Sequence, residues 1–89
     1  MELPAGVVSV GGSDAWRRSM REAVPEAVYY SAELLPAADT IRDASELWIQ
    51  VSYLGHSQYY RVTELARGAG VPIRYFSGTG VRRCERELR

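Results

Sequence analysis

Short apolar runs alternate with segments of helical periodicity along this chain. The runs are rich in β-branched and aromatic residues and predict four strands, at residues 7–10, 27–31, 47–53 and 71–76. Between and after the strands, apolar residues recur every three or four positions, which predicts helices. The helical segments are residues 14–24, 37–44, 57–67 and 80–88. The pattern therefore predicts a regular alternation of strand and helix.

Each of the longer helical segments has one apolar stripe, which we expect to face a sheet. The predicted inward residues are Trp16, Met20, Ala23 and Val24 in the first helix, Tyr59, Val62, Leu65 and Ala66 in the third, and Val81, Cys84 and Leu88 in the last. Ser57 is predicted to cap the third helix, and Gly68 to end it. Cys84 is interpreted as a core residue and not as a nucleophile.

Strands that alternate with helices favour right-handed crossovers and a parallel sheet between two helical layers. We predict one α/β domain over residues 1–89, a three-layer Rossmann-like or flavodoxin-like fold with strand order 2-1-3-4. In this order the first and third strands are neighbours, and ligands bind at the carboxyl ends of the strands near that point. The loops expected there are residues 11–14 and 55–57, with residues 77–80 one strand further along.

The composition excludes several kinds of partner and of binding or catalytic site. The chain has 11 basic and 11 acidic residues, which gives a formal charge of zero and no general attraction to nucleic acid or to an anionic membrane. All the basic residues are arginine, so a Walker-A lysine and a Schiff-base lysine are excluded. The single cysteine excludes an internal disulfide, and with one histidine no metal site is predicted. No apolar run is long enough to span a membrane, and we expect a cytoplasmic protein.

Two glycine-containing loops are candidate phosphate-binding turns. Gly11 and Gly12 leave the first strand, and Ser13 or Asp14 can cap the helix that follows. The dinucleotide fingerprint would require a small residue where Trp16 stands. The second loop has the same order of residues, with Ser77, Gly78, Thr79 and Gly80 before the last helix. Both loops are equally compatible with a capped turn that binds nothing.

Arginine pairs occupy the first turns of two helices. These are Arg17 with Arg18 and Arg82 with Arg83. Positive charge at a helix amino terminus opposes the helix dipole, so the two pairs suggest an anion that Arg17 and Arg82 face together. The alternative is that some of them point into solvent.

His56 is the only histidine, and Ser57 follows it at the start of the third helix. At that position His56 could donate to a phosphate or transfer protons near neutral pH, although an exposed histidine bonded only to its own loop is also compatible.

Receiver domains are excluded, because Gly11 and Gly12 stand where they need acidic residues after the first strand, and Ser52 and Tyr53 where they need an aspartate at the end of the third. Low-molecular-weight phosphatases are excluded because the first loop contains no cysteine.

The segments VGG at 10–12, HS at 56–57 and SGTG at 77–80 resemble, in order and spacing, the bacterial domain-of-unknown-function family 2325. The resemblance extends over nearly the whole chain, and residues 30–45 are its least distinctive part. It implies a small Rossmann-like fold in the bacterial cytoplasm without an established activity. Gly55 departs from the pattern, since a serine or similar residue is expected before the histidine.

We therefore expect a small regulatory module that binds phosphate or a nucleotide at the carboxyl ends of the strands. The predicted ligand-binding residues are Gly11, Gly12, Ser13, Arg17, His56, Ser57, Ser77, Gly78, Thr79 and Arg82. No cofactor is specified by the sequence.

One alternative is a homodimeric interaction domain. The chain has more apolar and aromatic residues than so small a core can easily bury. Those expected to remain for an interface are Leu34, Leu35, Trp48, Tyr59 and Tyr60. A third hypothesis, an enzyme in which His56 is the general acid or base, requires a carboxylate or hydroxyl within about 2.6–3.2 Å of the imidazole.

Overall fold

The computed structural model describes residues 5–88, so Met1 to Pro4 and Arg89 of the predicted domain lie outside the described residues. Strands and helices alternate in the described chain. The strands are β1 (Val7–Gly11), β2 (Ala27–Tyr30), β3 (Glu46–Gln50) and β4 (Ile73–Tyr75). The helices are α1 (Asp14–Ala23), α2 (Ala38–Arg42), α3 (His56–Gly68) and α4 (Val81–Leu88).

The four strands form one parallel sheet in the order β2-β1-β3-β4, which confirms the predicted fold class and strand order. Val8 of β1 lies level with Val28 of β2 on one side and with Leu47 of β3 on the other. All five residues of β1 are buried, as expected of a central strand that is covered on both faces. The carboxyl ends of the strands therefore meet at one edge of the sheet.

Helices cover both faces of the sheet. α1 packs with α4, and α2 packs with α3. Alternate residues of the strands supply two apolar clusters, one beneath each helical pair. The first cluster contains Val7, Trp16, Met20, Val24, Ala27, Tyr29, Trp48, Phe76, Cys84 and Leu88. The second contains Val8, Val10, Ile41, Leu47, Ile49, Val62, Ala66 and Val71.

The prediction of a strand over residues 47–53 is wrong at its carboxyl end, because β3 ends at Gln50. The backbone turns directly afterwards: Leu54 N donates to Val51 O at 3.1 Å, and Gly12 N donates to Ser52 O at 2.8 Å. Tyr53 completes the turn in the left-handed region, with φ +64°. The other predicted boundaries lie within two residues of the observed ones.

The prediction that Ser57 caps the third helix is also wrong. The N-cap is Gly55, whose backbone N–H donates to the Gln58 side chain at 2.7 Å. The prediction that the helix ends at Gly68 is confirmed, and the left-handed glycine that follows the helix is Gly70, with φ +74°. Thr63 occupies a buried position that the apolar pattern missed, and it is accommodated there because its hydroxyl donates to a backbone carbonyl of the preceding turn.

The prediction that the core is too small to bury Trp48 is wrong. Trp48 is fully buried, in edge-to-face contact with Phe76, and its indole N–H donates to Glu46 at 2.7 Å. The inward positions of Trp16, Met20 and Cys84 are confirmed. Within the described residues no helix combines the length and the apolar character needed to cross a bilayer.

Two glycine-to-alanine substitutions should have opposite effects on stability. Gly12 has φ +86°, and a Cβ there would lie 2.5 Å from the Trp16 ring, so Gly12→Ala should lower the free energy of unfolding by about 2–4 kcal/mol. A Cβ on Gly68 meets nothing within 4 Å, and Gly68→Ala should raise stability by up to about 1 kcal/mol because alanine favours the helix. Urea unfolding measures both, and equal losses would contradict the packing described for Gly12.

Candidate functional site

The turn after β1 is shaped by close packing against the end of β3. Gly11 and Gly12 both have positive φ, +92° and +86°. A Cβ on Gly11 would lie 1.9 Å from the Gln50 carbonyl oxygen, and one on Gly12 would meet the ring of Trp16. Both glycines are therefore required by the fold itself, whether or not a ligand binds.

Ser13 caps α1 as predicted. Its hydroxyl accepts a hydrogen bond from Trp16 N at 3.0 Å, and its carbonyl accepts the first intrahelical bond, from Arg17 N, at 3.0 Å. The backbone N–H groups of Ser13, Asp14 and Ala15 precede that bond. They form the open amino terminus of the helix.

Arg17 folds back over the turn. Its guanidinium donates to Gly12 O at 2.6 Å and forms an ion pair with Asp14, and only 11% of its side chain is exposed. A guanidinium has five N–H donors, so these two bonds leave others that can meet a ligand. Arg17 thus has a local structural role at this end of α1.

Two clefts open beside this turn, and they share Gly12, Ser13 and Tyr53. The larger, which we call the β2-side cleft, has a volume of about 420 Å³. Its lining residues are Gly12, Ser13, Asp14, Arg17, Ser31, Ala32, Glu33, Leu34 and Tyr53. The smaller, the β4-side cleft, has a volume of about 300 Å³ and is lined by Gly12, Ser13, Trp16, Gln50, Ser52, Tyr53 and Thr79.

The loop after β4 contributes less to these clefts than the sequence predicted. Thr79 lines the β4-side cleft. The Ser77 hydroxyl instead donates to the Glu87 carboxylate at 2.9 Å, and Gly78 presents its carbonyl to the Gln50 amide. Arg82 is exposed in the first turn of α4 and lines neither cleft.

His56 and Ser57 line neither of these two clefts. His56 lines an apolar cleft of about 310 Å³ with Val51, Leu54, Tyr59 and Tyr60. Ser57 lies in a separate groove along α3. Among residues 5–88, no carboxylate or hydroxyl is hydrogen-bonded to the imidazole, although the enzyme hypothesis requires such a partner.

Gln50 is a site residue that the sequence analysis missed. It is 1% exposed at the end of β3, and its amide N–H donates to Gly78 O at 2.8 Å. Its amide oxygen accepts from the Ser52 hydroxyl at 3.2 Å. A buried amide needs such partners, so Gln50 links the loops that follow β3 and β4 beneath the β4-side cleft. A lone glutamine inside the apolar run LWIQVSY was the available signal.

Cys84 lies under the loop after β4. Burial raises the pKa of its thiol, so the less reactive protonated form is present at neutral pH. The described part of the chain contains no group of three or more histidine, cysteine, aspartate or glutamate side chains that could hold a metal ion.

No protein-family model, curated protein or solved structure matches this chain. The resemblance to family 2325 therefore stays a prediction, and the clefts themselves are the basis for a functional proposal.

Replacing Gln50 should loosen the edge of the sheet. Gln50→Met keeps a similar volume but leaves the Gly78 carbonyl without its amide donor, which should lower the free energy of unfolding by about 1–3 kcal/mol. Urea unfolding measures this, with Glu64→Met as a control that introduces the same side chain at an exposed position of α3. A Gln50→Met protein as stable as the parent would show that the amide does not link the loops.

Proposed function

We propose that this protein binds an anionic ligand, phosphate or a nucleotide, at the carboxyl ends of its strands, as a regulatory module and not as an enzyme. The observation that carries the proposal is the convergence of Gly12, Ser13 and Arg17 on the β2-side cleft, at the amino terminus of α1. Backbone N–H groups and the dipole of a helix amino terminus favour a bound anion.

The charges around the cleft are compatible with an anion near Ser13. Asp14 is the acidic side chain nearest in sequence to the helix terminus, and its carboxylate is paired with Arg17. This ion pair reduces the repulsion that Asp14 would exert on a ligand. Glu33 lies on the opposite, β2 side of the same cleft.

A pair of substitutions at Ser13 separates anion binding from helix capping. Aspartate and asparagine are both good N-caps of nearly the same shape, but only aspartate adds a negative charge where the anion is expected. At about 4 Å and an effective dielectric constant of about 20, two unit charges repel by about 4 kcal/mol. Isothermal titration with inorganic pyrophosphate should therefore show at least tenfold weaker binding for Ser13→Asp than for Ser13→Asn.

Circular dichroism should show that both Ser13 variants keep the fold. The proposal would be contradicted by a parent protein that binds neither pyrophosphate nor ADP, or by equal affinities of the two variants for pyrophosphate.

A second candidate function, homodimerisation, is favoured by an exposed aromatic patch. Val51, Tyr60 and Tyr75 are 56%, 58% and 44% exposed, and Tyr59 contacts both tyrosines through its ring. The patch adjoins β4, which is the last strand on its side of the sheet. Exposed apolar groups beside an edge strand are typical of a surface that associates with another protein.

Sedimentation equilibrium tests the dimer. The parent protein should dimerise, and Tyr60→Glu should weaken dimerisation at least tenfold, because it places a charge inside the apolar patch. Val28→Glu is the matched control, since Val28 is equally exposed (57%) but lies on β2 at the opposite edge of the sheet. A parent protein that is monomeric at all concentrations would eliminate this candidate.

A further inference from the structure

The β2-side cleft has apolar as well as polar walls. Among the large apolar side chains of residues 5–88, Leu34 and Tyr53 are the most exposed, at 77% each. Both line this cleft, although Leu34 follows β2 and Tyr53 follows β3. Exposed apolar groups that face one cavity indicate a ligand with an apolar part. Inorganic phosphate has no such part.

The loop that carries Leu34 is held in place by contacts that do not use the Leu34 side chain. Gln58 of α3 donates from its amide to Ala32 O at 2.6 Å, and its amide oxygen accepts from Gly55 N. The Ser31 hydroxyl accepts from Leu34 N at 3.1 Å. The cleft wall is thus formed before any ligand arrives, and the fold leaves the Leu34 side chain without a packing role.

The fold does not require the side chain of Tyr53 either. Its φ of +64° is a conformation that glycine or asparagine adopts at less cost than a residue with a bulky side chain. The turn is fixed by backbone bonds of its neighbours, from Gly12 N to Ser52 O and from Leu54 N to Val51 O. The turn therefore does not require the aromatic side chain of Tyr53. This side chain is exposed, and Tyr53 lines both clefts.

Glu33 adds a polar group suited to a sugar. It lies in the same cleft just after β2, about 20 residues beyond the Gly11–Gly12 turn. In parallel sheets that bind dinucleotides, an acidic residue at this position accepts hydrogen bonds from ribose hydroxyls, while the phosphates lie on the helix after β1.

We propose that the ligand of this cleft is a nucleoside mono- or diphosphate, a proposal that rests on the anion-binding function above. The phosphate lies on the amino terminus of α1 at Gly12 and Ser13, the ribose hydroxyls donate to the Glu33 carboxylate, and the base contacts Tyr53 and Leu34. The cleft volume of about 420 Å³ is near the lower end of ligand cavities, which run from about 300 to 1,000 Å³, and so favours a mononucleotide over a dinucleotide.

Isothermal titration with ADP and with inorganic pyrophosphate, both without divalent metal, separates this inference from the anion-binding function. ADP should bind at least tenfold more tightly than pyrophosphate, because only ADP has a ribose and a base. Tyr53→Asn removes the ring and keeps a residue suited to positive φ, so it should lower the affinity for ADP at least fivefold more than that for pyrophosphate.

Glu33→Gln should likewise reduce the affinity for ADP several-fold, and it should not reduce that for pyrophosphate, since it removes a negative charge from the cleft. Glu22→Gln is the matched control: Glu22 is exposed on α1 and lines neither cleft, and its replacement should change neither affinity by more than twofold.

These titrations distinguish a failure of the nucleoside inference from a failure of the anion-binding function. If pyrophosphate binds and ADP binds no more tightly, the nucleoside inference is overturned and the anion-binding function stands. If ADP binds but the Tyr53 and Glu33 variants lose affinity for both ligands equally, the inference is overturned as well. If neither compound binds, both proposals fail.

Discussion

The close approach of the Gly11–Gly12 turn to the end of β3 determines the geometry of the candidate site. The Gln50 carbonyl occupies the space where a Cβ of Gly11 would lie, and the Trp16 ring occupies the space beside Gly12. Only a glycine pair permits this approach, which places the amino terminus of α1 directly beside the turn after β3. The hydrogen bond from Gly12 N to Ser52 O then joins the two loops, and the buried amide of Gln50 joins them to the loop after β4.

This constraint separates residues that folding requires from residues that it does not. The glycines, the Ser13 cap and the Arg17 contacts each stabilise the turn, so none of them alone indicates a ligand. Leu34 and Tyr53 have no such explanation, because both are exposed on loops that are held by other groups. The proposed specificity for a nucleoside phosphate depends on these exposed side chains more than on the glycines.

Much of the fold could be predicted from the sequence, because the apolar periodicity is local and the strand order follows from general rules for parallel sheets. The Ser13 cap and the buried positions of Trp16 and Cys84 were predictable for the same reason. The burial of Trp48 was not, since it depends on edge-to-face contact with the distant Phe76.

The residues that line each cleft were less predictable, because their positions depend on contacts between residues far apart in sequence. His56 begins α3 and Ser77 follows β4, both at the expected edge of the sheet. Yet His56 lines an apolar cleft, and Ser77 is hydrogen-bonded to Glu87. The loop after β2 contributes four residues to the larger cleft and was not among the predicted site residues. Its position depends partly on the contact from Gln58 to Ala32 O, which no local pattern reveals.

The proposed phosphate-bearing ligand would lie between the loops after β1 and β2. The most direct measurement is a titration of isotope-labelled protein with ADP, followed by the backbone amide resonances in two-dimensional NMR. The largest shifts should be those of Gly12, Ser13, Asp14, Glu33 and Tyr53, which line the β2-side cleft. Shifts concentrated around His56 and Ser57, or no shifts at millimolar ADP, would contradict this placement.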